Sequence, residues 1–313
     1  MIVALALASF LRSADPPWAS KTPLREPELF APGAISTGEY DSHAVFEPDG
    51  SAVWFLKSTP QFDFWTIVRS RRDGEGWSAP EVAPFSGRYS DADPCLSHDG
   101  RALWFLSNRP VDGDALNDDL DLWFVERHGD GWSEPKNPGA PINSSGNEWF
   151  PSFASDGTLY FGSDRPGGVG RTDIWRAKLV EGRYGEPENL GEAVNSKADD
   201  FEGCIAPDQS FLVVMSTRRG GPGGAGDLWI SERSGEEFAP ARCIEGGVST
   251  PAGEIGPRLS PDGKYLFFAS TRSFTAAPLE KRLDYAALST RLNGPGNGLG
   301  DVYRVETRAI LAR

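Results

Sequence analysis

The chain has 313 residues, a formal net charge of -14, 36 Gly, 25 Pro and 10 Trp. Nucleic acid and anionic membrane surfaces need clustered Lys and Arg, so this acidic balance excludes both as expected partners. The three cysteines, Cys95, Cys204 and Cys243, include no C-x-x-C pair and define neither a disulfide framework nor a cysteine metal site.

The first 18 residues read "MIVALALASFLRSADPPW". The apolar run at 2–11 has the length of a signal-peptide core and is far too short to span a bilayer. No Lys or Arg precedes it and no small-x-small cleavage site follows. Residues 1–22 therefore read as a weak signal peptide or a plain N-terminal arm, the first implying a periplasmic or secreted protein. Residues 23–313 then form one domain.

Within that domain one sentence recurs. "VFEPDG" at 45, "CLSHDG" at 95, "SFASDG" at 152, "CIAPDQ" at 204 and "RLSPDG" at 258 place turn aspartates at Asp49, Asp99, Asp156, Asp208 and Asp262. The spacings are 50, 57, 52 and 54 residues, a propeller or solenoid period. An Asp-Gly pair between apolar runs is a hairpin signal. Each turn leads into an aromatic strand, such as "AVWFLKS" or "YLFFAST". A variable loop follows, then Asp-apolar-aromatic, as in Asp173-Ile174-Trp175, then a short segment ending near proline. That makes four strands per unit, and units this small must stack to bury their faces.

The fifth unit lacks its last segment. "PLREPELFAPGAISTGEYD", near the start, resembles the ends of the other units. The expected fold is therefore an all-β propeller of four-stranded blades, five in number, closed by an N-terminal strand that completes the last blade. Six blades follow only if the 273–300 insertion hides strands. Within it, residues 278–292 carry Leu279, Leu283, Ala286, Ala287 and Leu292 at helical spacing, which predicts a helix that plugs apolar surface or serves as a lid or docking element.

The repeat "S-P-D-G-x-x-L-x-F-x-S-x-R-x-G-G-x-G-x-x-D-I-W" resembles the TolB-type, WD40-like propeller repeat of bacterial envelope proteins. The resemblance covers roughly residues 38–306. It implies a propeller fold and cell-envelope association, and is weak for function because propellers host many roles. The chain is more similar to a stand-alone secreted member, without TolB's separate α/β domain. It also lacks the Gly-x-Ser-x-Gly elbow of a hydrolase domain of the kind appended to related propellers.

Eight residues before the turn aspartates stand Asp41, Asp91, Glu148, Asp200 and Glu254, all acidic. Nine or ten residues after them, blades two to five carry Arg109, Arg165, Arg218 and Arg272. Residues equidistant from a hairpin turn lie at one end of the sheet. The arginines are therefore expected to form a structural ion-pair ring with the acids. The acids, with His43, are also the expected ligand-binding groups on the loop face, Asp41 above all because its blade lacks the Arg. A lone His43 is more often structural, and His98 and His128 read as solvated. Cys95 and Cys204 occupy equivalent positions and read as packing residues. The Gly-rich loops "RPGGVGRTD" and "RRGGPGGAGD" lead into no helix and read as tight loops needing positive φ. "NDDLDLW" lacks the ligand order of a calcium loop.

No catalytic residue, metal ligand or cofactor is singled out. The expectation is a monomeric, non-enzymatic propeller, not an enzyme, that binds a protein, peptide or glycan through the loop face around the central channel. The alternative is a lyase or hydrolase using the acidic channel mouth.

Overall fold

The computed structural model describes residues 15–113, 115–274 and 278–311. The apolar run at 2–11 lies outside the described residues. In the first repeat, Tyr40–Phe46 and Ala52–Ser58 pair about the Asp49 turn, and Ala52–Ser58 pairs onward with Trp65–Asp73. Side chains alternate across a strand. Val53 and Phe55 therefore pack toward the last blade with Phe267 and Val302, whereas Trp54 packs toward the second with Leu103 and Phe105. All of these side chains are fully buried. A strand apolar on both faces needs a neighbouring sheet on each side, and a ring of blades supplies both.

The same antiparallel order recurs from Asp91–Leu96, Glu148–Phe153, Asp200–Ile205 and Glu254–Leu259, which gives five blades of four strands. The inner strand of the first blade also packs against that of the fifth. The 273–300 insertion adds no sixth blade: its described residues hold one helix, Tyr285–Leu292, and one bridge between Ser273 and Asn297. The helix is shorter than the pattern predicts. The Asp284 side chain caps it by accepting from Ala287 N, so residues 278–284 precede it. None of its residues is buried, and Tyr285, Leu288 and Leu292 are exposed. It therefore plugs no core surface.

The last blade takes its outer strand from the other end of the chain. Glu28–Leu29 pairs with Asp301–Glu306, Glu28 opposite Arg304 and Leu29 opposite Tyr303. Ser36 Oγ accepts from Val302 N and donates to Val302 O, both at 3.0 Å. Phe30 packs edge-on against Phe267 with ring centroids 5.1 Å apart. The closure buries Trp18, Phe30 and Ile35 and covers a sheet edge that would otherwise be open.

Candidate functional site

The five repeated acids lie inside the blades. Asp41, Asp91, Glu148, Asp200 and Glu254 are each 0% exposed. The arginines meet them within the same blade: Arg109–Asp91 at 2.6 Å, Arg165–Glu148 at 2.9 Å, Arg218–Asp200 at 2.5 Å and Arg272–Glu254 at 3.3 Å. Asp41 is not left free: Lys57 Nζ stands 2.6 Å from its Oδ1 and also holds Glu39. A serine two residues before each arginine takes the guanidinium Nε on its Oγ: Ser107, Ser163, Ser216 and Ser270. The outer guanidinium nitrogens reach backward to the segment entering the blade, at Phe85 O, Ile142 O, Val194 O and Val248 O. On the acid side, Thr37, Ser86, Ser144, Ser196 and Thr250 donate a hydroxyl. Burial raises the pKa of Asp41, Asp91, Glu148 and Glu254 against the opposing pull of these partners. Buried carboxylates this well partnered tie each blade to its connector and present no charge at a channel mouth.

The channel chemistry sits two residues further along each inner strand. The equivalent positions hold His43, Asp93, Phe150, Glu202 and Gly256. A register shift falls beside each of them, between Ser42 and Val45, Ala92 and Cys95, Trp149 and Ser152, Asp200 and Glu202, and Ile255 and Arg258. A β-bulge re-aims the side chain it carries. His43, Asp93 and Phe150 accordingly have φ of 55°, 55° and 49°, a left-handed backbone that non-glycine residues adopt at a cost of about 1–3 kcal/mol each. Gly256 shares it at 65°, and a Cβ there would stand 3.1 Å from the His43 ring.

Residues from all five blades thus meet on the channel axis. His43 Nε2 lies 3.1 Å from Asp93 Oδ1 and 3.1 Å from Glu202 Oε1. His43 Nδ1 is 2.8 Å from Ser42 Oγ. Each carboxylate's other oxygen takes a backbone N–H: Glu202 Oε2 from Gly256 N at 2.6 Å, Asp93 Oδ2 from Phe150 N at 3.1 Å. The Arg258 guanidinium carbon lies over the Phe150 ring, 3.5 Å from its centroid, and the side chain donates to Pro151 O and Asp93 O. Burial opposes charge on His43, yet Asp93 and Glu202 outweigh it and raise its pKa. Asp93 is pushed up to about 6, by burial first, with the Glu202 charge adding and His43 opposing. The Tyr40 hydroxyl is pushed up to about 12 by burial and then by Glu202. Among the described residues, His43, Asp93 and Glu202 are the one group of potential metal ligands close enough to share an ion.

Sequence reasoning selected His43 and missed Asp93, Glu202 and Arg258. Positions alike in every blade mark the repeat, whereas this cluster stands where the blades differ at one register. On the Asp-Gly-turn side, Val45, Cys95, Ser152, Cys204 and Arg258 line a cavity of about 210 Å³, so this face is less featureless than its short turns suggest. Cys95 and Cys204 are buried free thiols whose pKa burial raises. His98 stands at the rim with Nε2 3.0 Å from Phe153 O. The Gly-rich loops are tight turns, with φ of 98° at Gly167 and 114° at Gly220. At Gly168 a side chain would collide with the Asp173 carboxylate, which takes the N–H of Val169 and of Gly170.

No protein-family model matches the chain, and no curated protein matches it. Solved structures do. A putative TolB from Agrobacterium tumefaciens aligns at 15% identity over 86% of this chain and 90% of that one, with a TM-score of 0.49. An α-L-arabinofuranosidase from Podospora anserina aligns at 11% identity over 88% and 92%, with a TM-score of 0.48. A gluconolactonase from Xanthomonas campestris aligns at 12% over 87% and 88%, with a TM-score of 0.44. The chain is a five-bladed β-propeller, similar in fold to these structures. The expectation of a protein that is not an enzyme is corrected: structures similar in fold include a peptidase, α-L-arabinofuranosidases and a gluconolactonase, so the propeller fold implies no non-enzymatic role.

Proposed function

We propose that the protein is a hydrolase or lyase whose catalytic centre is His43, Asp93 and Glu202 in the channel. The observation that supports it is convergence. Three proton-transferring side chains come from blades one, two and four, and the His43 ring holds both carboxylates at 3.1 Å. Bond cleavage by hydrolysis or elimination needs a proton acceptor and a proton donor at one reacting centre. Two carboxylates beside an imidazole supply that pair, with Asp93 and Glu202 retained in place by backbone N–H groups. Arg258 acts behind them as a positioning residue, through Asp93 O and the Phe150 ring.

The substrate belongs to the peptide, ester or glycan classes and approaches from the loop face, where the exposed helix Tyr285–Leu292 projects. This reading retains a periplasmic or secreted location. The test is an assay against aryl glycosides, polysaccharides, lactones and peptides, with and without added Zn²⁺ or Mn²⁺. Asp93→Asn and Glu202→Gln should each lose about 100-fold or more in rate, while Lys264→Ala, in a turn, keeps full rate. An unsaturated product marks elimination, and its absence marks hydrolysis. No turnover of any class, or full rates in both channel variants, overturns the reading.

A further inference from the structure

The geometry points to a bound divalent transition-metal ion between His43 Nε2, Asp93 Oδ1 and Glu202 Oε1. This inference stands on ligand placement and holds whether or not the centre cleaves a bond. The three atoms lie within 4.8 Å of one another, and all three residues are buried. An ion with bonds of about 2.0–2.2 Å to nitrogen and oxygen fits among atoms so spaced.

Two features go beyond a cluster of acids. The first is how the ligands are held. His43 Nδ1 is 2.8 Å from Ser42 Oγ; with Nδ1–H donating there, Nε2 is left with its lone pair toward the centre. Glu202 Oε2 and Asp93 Oδ2 are each occupied by a backbone N–H, so Oε1 and Oδ1 are the oxygens turned inward. Every ligand is thus fixed through its far atom, which is how metal-binding imidazoles and carboxylates are oriented. The second is an oxygen that a proton serves badly. One Nε2–H cannot donate well to two carboxylates. It bonds Glu202 Oε1, while Asp93 Oδ1, on a side chain 7% exposed, stands at the same 3.1 Å from Nε2 and competes for that proton. A divalent ion would bind both oxygens and the nitrogen together.

The donor set decides the class of ion. One imidazole nitrogen with two carboxylate oxygens suits Zn²⁺, Mn²⁺ or Fe²⁺, whereas an all-oxygen cage suits Ca²⁺ or Mg²⁺. Three protein ligands leave positions open, as in catalytic rather than structural zinc sites. Arg258 stays outside the ligand set, its outer nitrogens on backbone carbonyls.

The experiment uses the full chain dialysed against chelator and titrated separately with Zn²⁺, Mn²⁺ and Ca²⁺ by calorimetry. One equivalent of Zn²⁺ or Mn²⁺ should bind, with Ca²⁺ at least about tenfold weaker. Glu202→Gln and Ser42→Ala should weaken binding, the first by more than the second, which is expected to cost about 10-fold. Wild-type protein alone also decides the matter by NMR. Of three histidines, Zn²⁺ should move the His43 ring signals and leave those of His98 and His128 in place. No 1:1 binding, unchanged affinity in folded Glu202→Gln, or shifts at His98 or His128 in place of His43 overturn the proposal.

Discussion

His43 and Glu202 stand 159 residues apart in the chain and 3.1 Å apart across the channel, Nε2 to Oε1. Nothing local links them. Each is carried by an inner strand, and the ring of blades alone brings the first blade opposite the fourth. The contact is therefore both a product of closure and a constraint on it. Phe150 and Gly256 complete the same layer, one filling space and the other yielding it.

Removing one partner of this cluster should be costly. In metal-free protein, Glu202→Ala leaves a buried imidazole with half its counter-charge and Gly256 N without its acceptor. The expected loss is about 3 kcal/mol, the range for a broken buried pair. Urea denaturation in the presence of chelator measures it. A loss under about 0.5 kcal/mol, typical of an exposed position, would show that the cluster is solvated.

The ion-pair ring makes a separate prediction. Arg165 donates to Ser163 Oγ, Pro141 O, Ile142 O and Glu148 Oε1, and Glu148 is fully buried. Arg165→Ala should destabilise by about 2 kcal/mol or more. Arg165→Lys should recover only part of this, because an ammonium cannot reproduce the planar fork that spans serine, carboxylate and connector. Equal stability of the Lys variant and wild type would show that charge alone matters there.

Ring closure can be tested by truncation. A chain beginning at Gly38 loses Glu28–Leu29, the Ser36–Val302 pairing and the buried Phe30. It should expose the edge of Asp301–Glu306 and elute as aggregate on gel filtration. Monomeric elution with an unchanged thermal midpoint would mean that the last blade holds without its outer strand.

The fold was legible because it repeats. Asp49, Asp99, Asp156, Asp208 and Asp262 mark one turn five times, and the short fifth unit pointed to the strand at Glu28–Leu29. The arginine ring was legible for the same reason. The channel cluster was not, because Asp93 and Glu202 carry no local motif and sit in unlike surroundings, "SDADP" and "DFEGC". Their meaning comes from register: the bulge turns one residue per blade inward, and the residue differs each time. Asp41 misled for the opposite reason. Its blade lacks the arginine, yet Lys57 supplies the charge from the position serine holds elsewhere.

Asp301 offers a pH prediction away from the channel cluster. Its Oδ2 accepts from Gly296 N at 2.6 Å, while its Oδ1 is buried without a partner. Burial, with the Asp41 charge adding and the Gly296 N–H opposing, pushes its pKa up to about 6 from an ordinary 3.8. Between those values the native state binds more protons than the unfolded chain. Stability contributed by the protonated form is therefore present at low pH and lost as pH rises through that window. Asp301→Asn keeps an oxygen for the Gly296 N–H and never ionises. Its stability relative to wild type should rise from about pH 4 to about pH 7, read as the difference in urea midpoints at each pH. Groups common to both proteins that do not interact with Asp301 cancel in that difference. A flat difference across the window would mean that Asp301 ionises in the fold as readily as in the unfolded chain, and that its unpartnered oxygen is reached by water.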